Sequence, residues 1–130
     1  MFKADVKAEE VPILVLAYIG DAVYELLIRQ YLIGMGVTRL NQLHERATGY
    51  VRADSQAAAM RVIKDQLSEA EAAVARRGRN AKSGHPRRGT EVNDYRYSTG
   101  MEALIGFLYL RGEYDRLKEI MNMIRQAIEG

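Results

Sequence analysis

Cysteine is absent from the 130-residue chain. That excludes disulfides and thiolate metal sites and fits a reducing, cytoplasmic setting. Histidine is scarce: His44 and His85 stand alone, neither completes an E-x-x-H pair of the di-iron type, and the plain place for each is a surface or loop. The N-terminal MFKADVKAEE mixes charges of both signs and lacks a signal-peptide layout. The longest apolar run, Val11–Gly20, is too short to span a bilayer and leads into Asp21, Glu25 and Arg29, so no membrane segment is expected. Period-two alternation between hairpin turns is missing as well. The segment GRNAKSG (Gly78–Gly84) does not satisfy G-x-x-x-x-G-K-[ST], which removes a nucleotide-phosphate loop. No internal repeat or dividing linker is visible.

Helical periodicity is what remains. The length suits a single domain, 1–130, and 48% hydrophobic residues suffice for a core. Apolar spacing predicts a long helix over Val11–Ile33, with Pro12 near its start and a stop around Gly34-Met-Gly36. Leu40, Leu43 and Ala47 mark a helix over Leu40–Val51, and a stretch rich in Ala, Met, Val and Ile marks another over Ala53–Gln66. Ser68-Glu-Ala-Glu71 reads as a capping box opening a helix through Arg76. A further helix begins near Val92 and runs, with room for a break at Tyr97–Gly100, to Leu110, where Gly112 ends it. The last, Tyr114–Ile128, aligns Leu117, Ile120, Met121, Ile124 and Ile128 on one face. The expected fold is all-α, interrupted by one basic loop at about 76–90.

Charge is unevenly spread. Residues 76–90, RRGRNAKSGHPRRGT, hold Arg76, Arg77, Arg79, Lys82, Arg87 and Arg88 and no acid; against a formal total of +2 this leaves −4 for the remainder. A one-signed stretch of this kind is the footprint expected for phosphate contacts, with a solvated loop as the alternative. Tyr95 and Tyr97 flank Arg96; core packing is their plain reading, support of RNA the other.

Two acids sit in apolar surroundings. Asp21, Glu25 and Arg29, four residues apart, form one helical stripe, so Glu25–Arg29 suits an i,i+4 pair. Asp21 is harder to place: a like charge beside Glu25, an N-cap after Gly20, or a metal ligand. In STGMEALIGFLYLRG (Ser98–Gly112) the only acid is Glu102, which is either a ligand or the partner in a second capping box, Thr99-Gly-Met-Glu102.

Tyr18-Ile-Gly-Asp-Ala-Val23 resembles the F-L-G-D-A-V core of the ribonuclease III signature. Glu102-Ala-Leu-Ile-Gly106, followed by Tyr109-Leu110, is similar to the second motif of that family, and Leu40–Asp54 loosely resembles the helix that links the two. LAYIGDAVYE, RGRNAKSG and YRYSTGMEALIG resemble most closely the family's short class, Mini-ribonuclease III, which lacks a separate double-stranded-RNA-binding domain. The resemblance implies a ribonuclease III endonuclease-domain fold and a Mg2+-dependent endoribonuclease acting on double-stranded RNA. It implies that Asp21 and Glu102 converge as catalytic and Mg2+-binding residues, that Asp21 orients the attacking water, and that the chain forms a homodimer with paired sites. Resemblance to the short class further implies maturation of 23S ribosomal RNA precursor, with room for a ribosomal protein on the substrate. Where the larger enzymes carry further acids, four and seven residues before the signature aspartate and three before the second-motif glutamate, this chain has Ala17, Leu14 and Thr99. Those losses motivate the competing reading, a non-catalytic ribonuclease-III-like domain that binds structured RNA within a ribonucleoprotein. Glu25 has no counterpart in the resemblance.

Overall fold

Proline lacks the N–H that a helix start leaves unpaired, and Pro12 opens the first helix: its carbonyl accepts from the Val15 and Leu16 amides at 2.9 and 3.0 Å. A computed structural model of the chain describes residues 6–81 and 90–130. After a single 3-10 turn at Ala8–Glu10 come α1 (Ile13–Gly34), α2 (Leu40–Val51), α3 (Ala53–Ile63) with a following turn Lys64–Gln66, α4 (Glu69–Asn80), α5 (Val92–Leu110) and α6 (Tyr114–Glu129). No strand occurs among the described residues, and no described helix is long and apolar enough to cross a membrane. The fold is all-α, as expected.

Helix α5 is the axis of the domain. It packs most extensively against α1, then α4 and α3. Every residue from Ser98 to Leu108 is buried except Glu102. A helix enclosed on all sides needs no polar face, which is why its sequence shows so little amphipathic contrast. Helix α6 is the opposite case, burying Leu117, Ile120 and Ile124 along one stripe. Gly112 ends α5 as expected, in the left-handed region at φ +74°, with the Glu113 amide donating back to the Leu108 carbonyl at 3.0 Å.

Helix α1 runs unbroken through Gly20 and Asp21, as the apolar spacing over Val11–Ile33 predicts, so Asp21 is not an N-cap. Two local readings are corrected. Helix α5 likewise runs unbroken through Tyr97–Gly100; the Thr99 hydroxyl donates to the Tyr95 carbonyl at 2.9 Å, so Thr99 and Glu102 form no capping box. Helix α4 continues past Arg76 to Asn80, which puts Arg76, Arg77 and Arg79 on a helix instead of in the basic loop. The cause is Gly78. A Cβ there would lie 2.9 Å from both the Gly100 Cα and the Ala103 Cβ, so this glycine serves the α4–α5 contact rather than a turn. Lys82, His85, Arg87 and Arg88 lie outside the described residues.

The expected capping box at Ser68 is present. The Glu71 amide donates to Ser68 Oγ at 3.1 Å, and the Ser68 amide donates to Glu71 Oε1 at 2.8 Å. Arg116 of α6 also grips Glu71 with two hydrogen bonds of 2.8 Å and holds its carboxyl below the usual range. A second clamp closes the C-terminus: the Tyr31 and Tyr50 hydroxyls donate to Glu129 Oε2 at 3.0 and 2.6 Å, and Arg125 donates to Glu129 Oε1 at 2.8 Å.

Candidate active site

Two glycines decide where α1 meets α5. A Cβ on Gly20 would run into the Glu102 carbonyl oxygen, and one on Gly106 into the Leu16 carbonyl oxygen. The two backbones therefore touch over one helical turn, and no residue larger than glycine fits either position. Asp21 follows Gly20, and Glu102 lies one turn before Gly106 on the same face of α5. This crossing brings the two acids together, near enough for the Asp21 carboxyl to raise that of Glu102. Asp21 is exposed at the mouth and Glu102 half-buried behind it.

The electrostatics follow from that geometry. Burial, then the hydrogen bond and charge of Asp21, then the charge of Glu25 push the Glu102 carboxyl up to about 9. Glu102 thus holds a proton at neutral pH in the metal-free protein. Among the described residues no Lys or Arg pairs with either acid. Tyr24 lies fully buried nearby, raised by burial and by the charges of Tyr50 and Glu102. Its hydroxyl is committed elsewhere, donating to the Tyr50 carbonyl at 2.7 Å. Glu25 makes the expected pair with Arg29, at 3.7 Å.

Two neighbouring carboxyls with no ion-pair partner among the described residues are a donor set suited to a hard divalent cation, which prefers oxygen ligands and retains waters. The set is small. Among the described residues no cluster of three or more potential ligands occurs. Ala17 is buried, Leu14 is partly exposed, and the Thr99 hydroxyl is turned to its own helix, so none of these positions adds a ligand.

Of the expected RNA-contacting residues, Arg76 and Arg77 are exposed on α4 and Arg79 is half-buried on it. Sequence reasoning assigned no role to Gly20 or Gly106. The usable signal was their position, one adjacent to Asp21 and the other one turn from Glu102.

Comparison with known proteins places the chain in a family. The Ribonuclease III domain family matches residues 14–113. A Mini-ribonuclease 3 of Thermoanaerobacter sp. (strain X514) is 50% identical over 116 residues, covering 89% of this chain and 82% of the relative. Mini-ribonuclease 3 of Brevibacillus brevis is 44% identical, covering 90% and 87%. The crystal structure of a Fusobacterium nucleatum protein superposes with a TM-score of 0.80 at 30% identity, covering 90% of this chain and 93% of that one. With the fold, the two motifs and these relatives in accord, the chain belongs to the ribonuclease III family and is an endoribonuclease.

Proposed function

We propose that residues 1–130 form one catalytic domain that hydrolyses double-stranded RNA with Mg2+, and that Asp21 and Glu102 hold the metal and carry the chemistry. The observation behind this reading is the α1–α5 crossing at Gly20 and Gly106 that brings Asp21 and Glu102 together, with no ion-pair partner for either among the described residues. Asp21 and Glu102 would hold Mg2+, which would supply Lewis-acid polarisation of the scissile phosphate and offset its charge. To hold the cation Glu102 would have to be ionised, its proton passing to solvent. Asp21, at the open mouth, orients the attacking water, and the close α1–α5 crossing fixes its position relative to Glu102.

The substrate we assign is 23S ribosomal RNA precursor in the cytoplasm, where a ribosomal protein on the RNA would present the duplex. Arg76, Arg77 and Arg79, with Lys82, Arg87 and Arg88, contact its phosphates. Cutting both strands calls for two centres, hence a homodimer with two-fold symmetry. The exposed apolar stripe Val15, Tyr18 and Leu26 runs beside Asp21 on α1 and supports this; Tyr18 is 81% exposed in the single chain.

End-labelled duplex RNA and its single strands, each incubated with Mg2+ or with EDTA, test the reading. Fragments from the duplex with Mg2+ alone are expected, and with a precursor transcript the cuts should coincide with the mature 23S ends. A duplex that is shifted in a gel yet left intact would replace this reading with the RNA-binding one. Light scattering should return twice the monomer mass, falling to the monomer for Tyr18→Glu.

A further inference from the structure

A cavity of about 200 Å3 opens between α3, α4 and α5. Tyr97 and Gly100 line it. Tyr97 is five residues before Glu102, about 140° around the helix, so the cavity looks away from the cleavage centre. Its floor is apolar, with Met60, Leu67 and Ala75. Its rim is basic: Lys64 from the turn after α3, and Arg76 and Arg79 from α4. Arg61 stands one turn before Lys64. The Arg61 guanidinium lies 4.6 Å from the Tyr97 ring centroid and that of Arg79 5.5 Å from it. No acid is among the described residues lining the cavity.

What marks this place is that cations without a carboxylate partner gather around one concavity. Arg29, Arg52, Arg111, Arg116 and Arg125 all have carboxylate partners, and Arg61 meets Asp94 at 3.3 Å. Among the described residues Lys64, Arg76 and Arg79 have none. Three such cations around one concavity repel one another unless an anion joins them. Tyr97 restrains two guanidiniums through its ring face, which lowers the entropy lost when they grip a ligand. The polyanion on which this enzyme family acts is RNA.

We propose that this cavity is a second RNA-backbone site, distinct from the cleavage centre, that takes phosphates of the RNA flanking the cut duplex. Lys64, Arg76 and Arg79 make the contacts, and Arg61 and Tyr97 position them. The inference rests on the RNA-cleaving reading and adds Arg61, Lys64 and Tyr97 to it. Because the cavity faces away from Asp21 and Glu102, it contributes affinity for extended RNA and leaves the chemical step untouched.

The test uses a long structured RNA and a minimal duplex in steady-state cleavage over a series of salt concentrations. On the long RNA, Lys64→Gln is expected to raise KM roughly 3- to 10-fold, leave kcat unchanged, and flatten the log–log salt slope by about one. Tyr97→Leu is expected to raise KM likewise, and Tyr97→Phe, which keeps the ring, to behave as the unaltered enzyme. The minimal duplex should not distinguish these proteins, and Lys118→Gln, an exposed cation on α6, should match the unaltered enzyme on both RNAs. Fluorescence anisotropy of the same long RNA in EDTA reads the cavity without cleavage. Failure of the unaltered protein to cut would strike the catalytic reading. Unchanged KM, salt slope and anisotropy in Lys64→Gln would overturn the second site.

Discussion

Glu102→Gln should stabilise the metal-free protein, and more so as the pH rises. The Glu102 carboxyl is displaced from 4.5 to about 9 by burial and by Asp21. Between those values the native state keeps a proton that the unfolded chain has lost, so stability falls as pH rises through the window. At pH 8, which is 3.5 decades above 4.5, the displacement corresponds to about 5 kcal/mol at 1.36 kcal/mol per decade. Water reaches the exposed Asp21 side of the pair and screens it, leaving about a third, roughly 2 kcal/mol near pH 8. Glutamine is neutral at every pH, keeps the shape, and can donate its amide to Asp21. For a domain of this size the gain corresponds to a Tm about 6 °C higher at pH 8. Thermal melts of both proteins in EDTA at pH 5 and pH 8 make the comparison, and the gap should shrink to near zero at pH 5. Added Mg2+ should raise the Tm of the unaltered protein at pH 8 and leave that of Glu102→Gln in place. Equal melting temperatures at pH 8, or a gap that widens toward pH 5, would refute the reasoning.

Other perturbations have equally definite outcomes. Gly20→Ala would gain about 1 kcal/mol of helix propensity, yet it drives a Cβ into the Glu102 backbone. Urea denaturation should show a net loss of about 1–3 kcal/mol, and cleavage should fall further than the folded fraction does; unchanged stability would mean that α1 and α5 do not touch there. Arg116→Met leaves the buried Glu71 carboxylate unpaired and should cost about 2–4 kcal/mol by the same assay. Because the Glu71 carboxyl is held below 4.5 chiefly by Arg116, that contribution is present above the unfolded-state value and fades as pH falls below it. The stability difference between Arg116→Met and the unaltered protein should therefore narrow in acid.

Much of the fold was legible because its helices bury regular stripes. Leu117, Ile120 and Ile124 announce α6, and Ser68 and Glu71 announce the start of α4. The errors came from glycine and threonine, whose local meaning is ambiguous. Gly78 and Gly100 look like breaks in a pattern, but each lies where α4 meets α5, and that is a property of two helices rather than of one. Thr99 fits a capping box in sequence, yet its hydroxyl bonds back to Tyr95 within a continuous helix. The site was half legible. Periodicity marked Asp21 and Glu102 as awkward acids, and resemblance paired them. Their contact depends on Gly20 and Gly106 letting two backbones touch, which no spacing along the chain encodes. Arg61 and Lys64 carried no signal at all, since only the packing of α3 against α5 brings them to Tyr97 and the basic end of α4.

The most direct measurement is single-turnover cleavage of a labelled RNA duplex in saturating Mg2+ by Asp21→Asn, alongside its Tm and its affinity for the same duplex in EDTA. Asparagine keeps the size of the side chain and removes the charge that would hold the cation. Cleavage should fall by at least roughly a thousandfold, about 4 kcal/mol in the barrier, with fold and duplex affinity near those of the unaltered protein. Cleavage within a few-fold of the unaltered rate would show that Asp21 and Glu102 are not the catalytic pair.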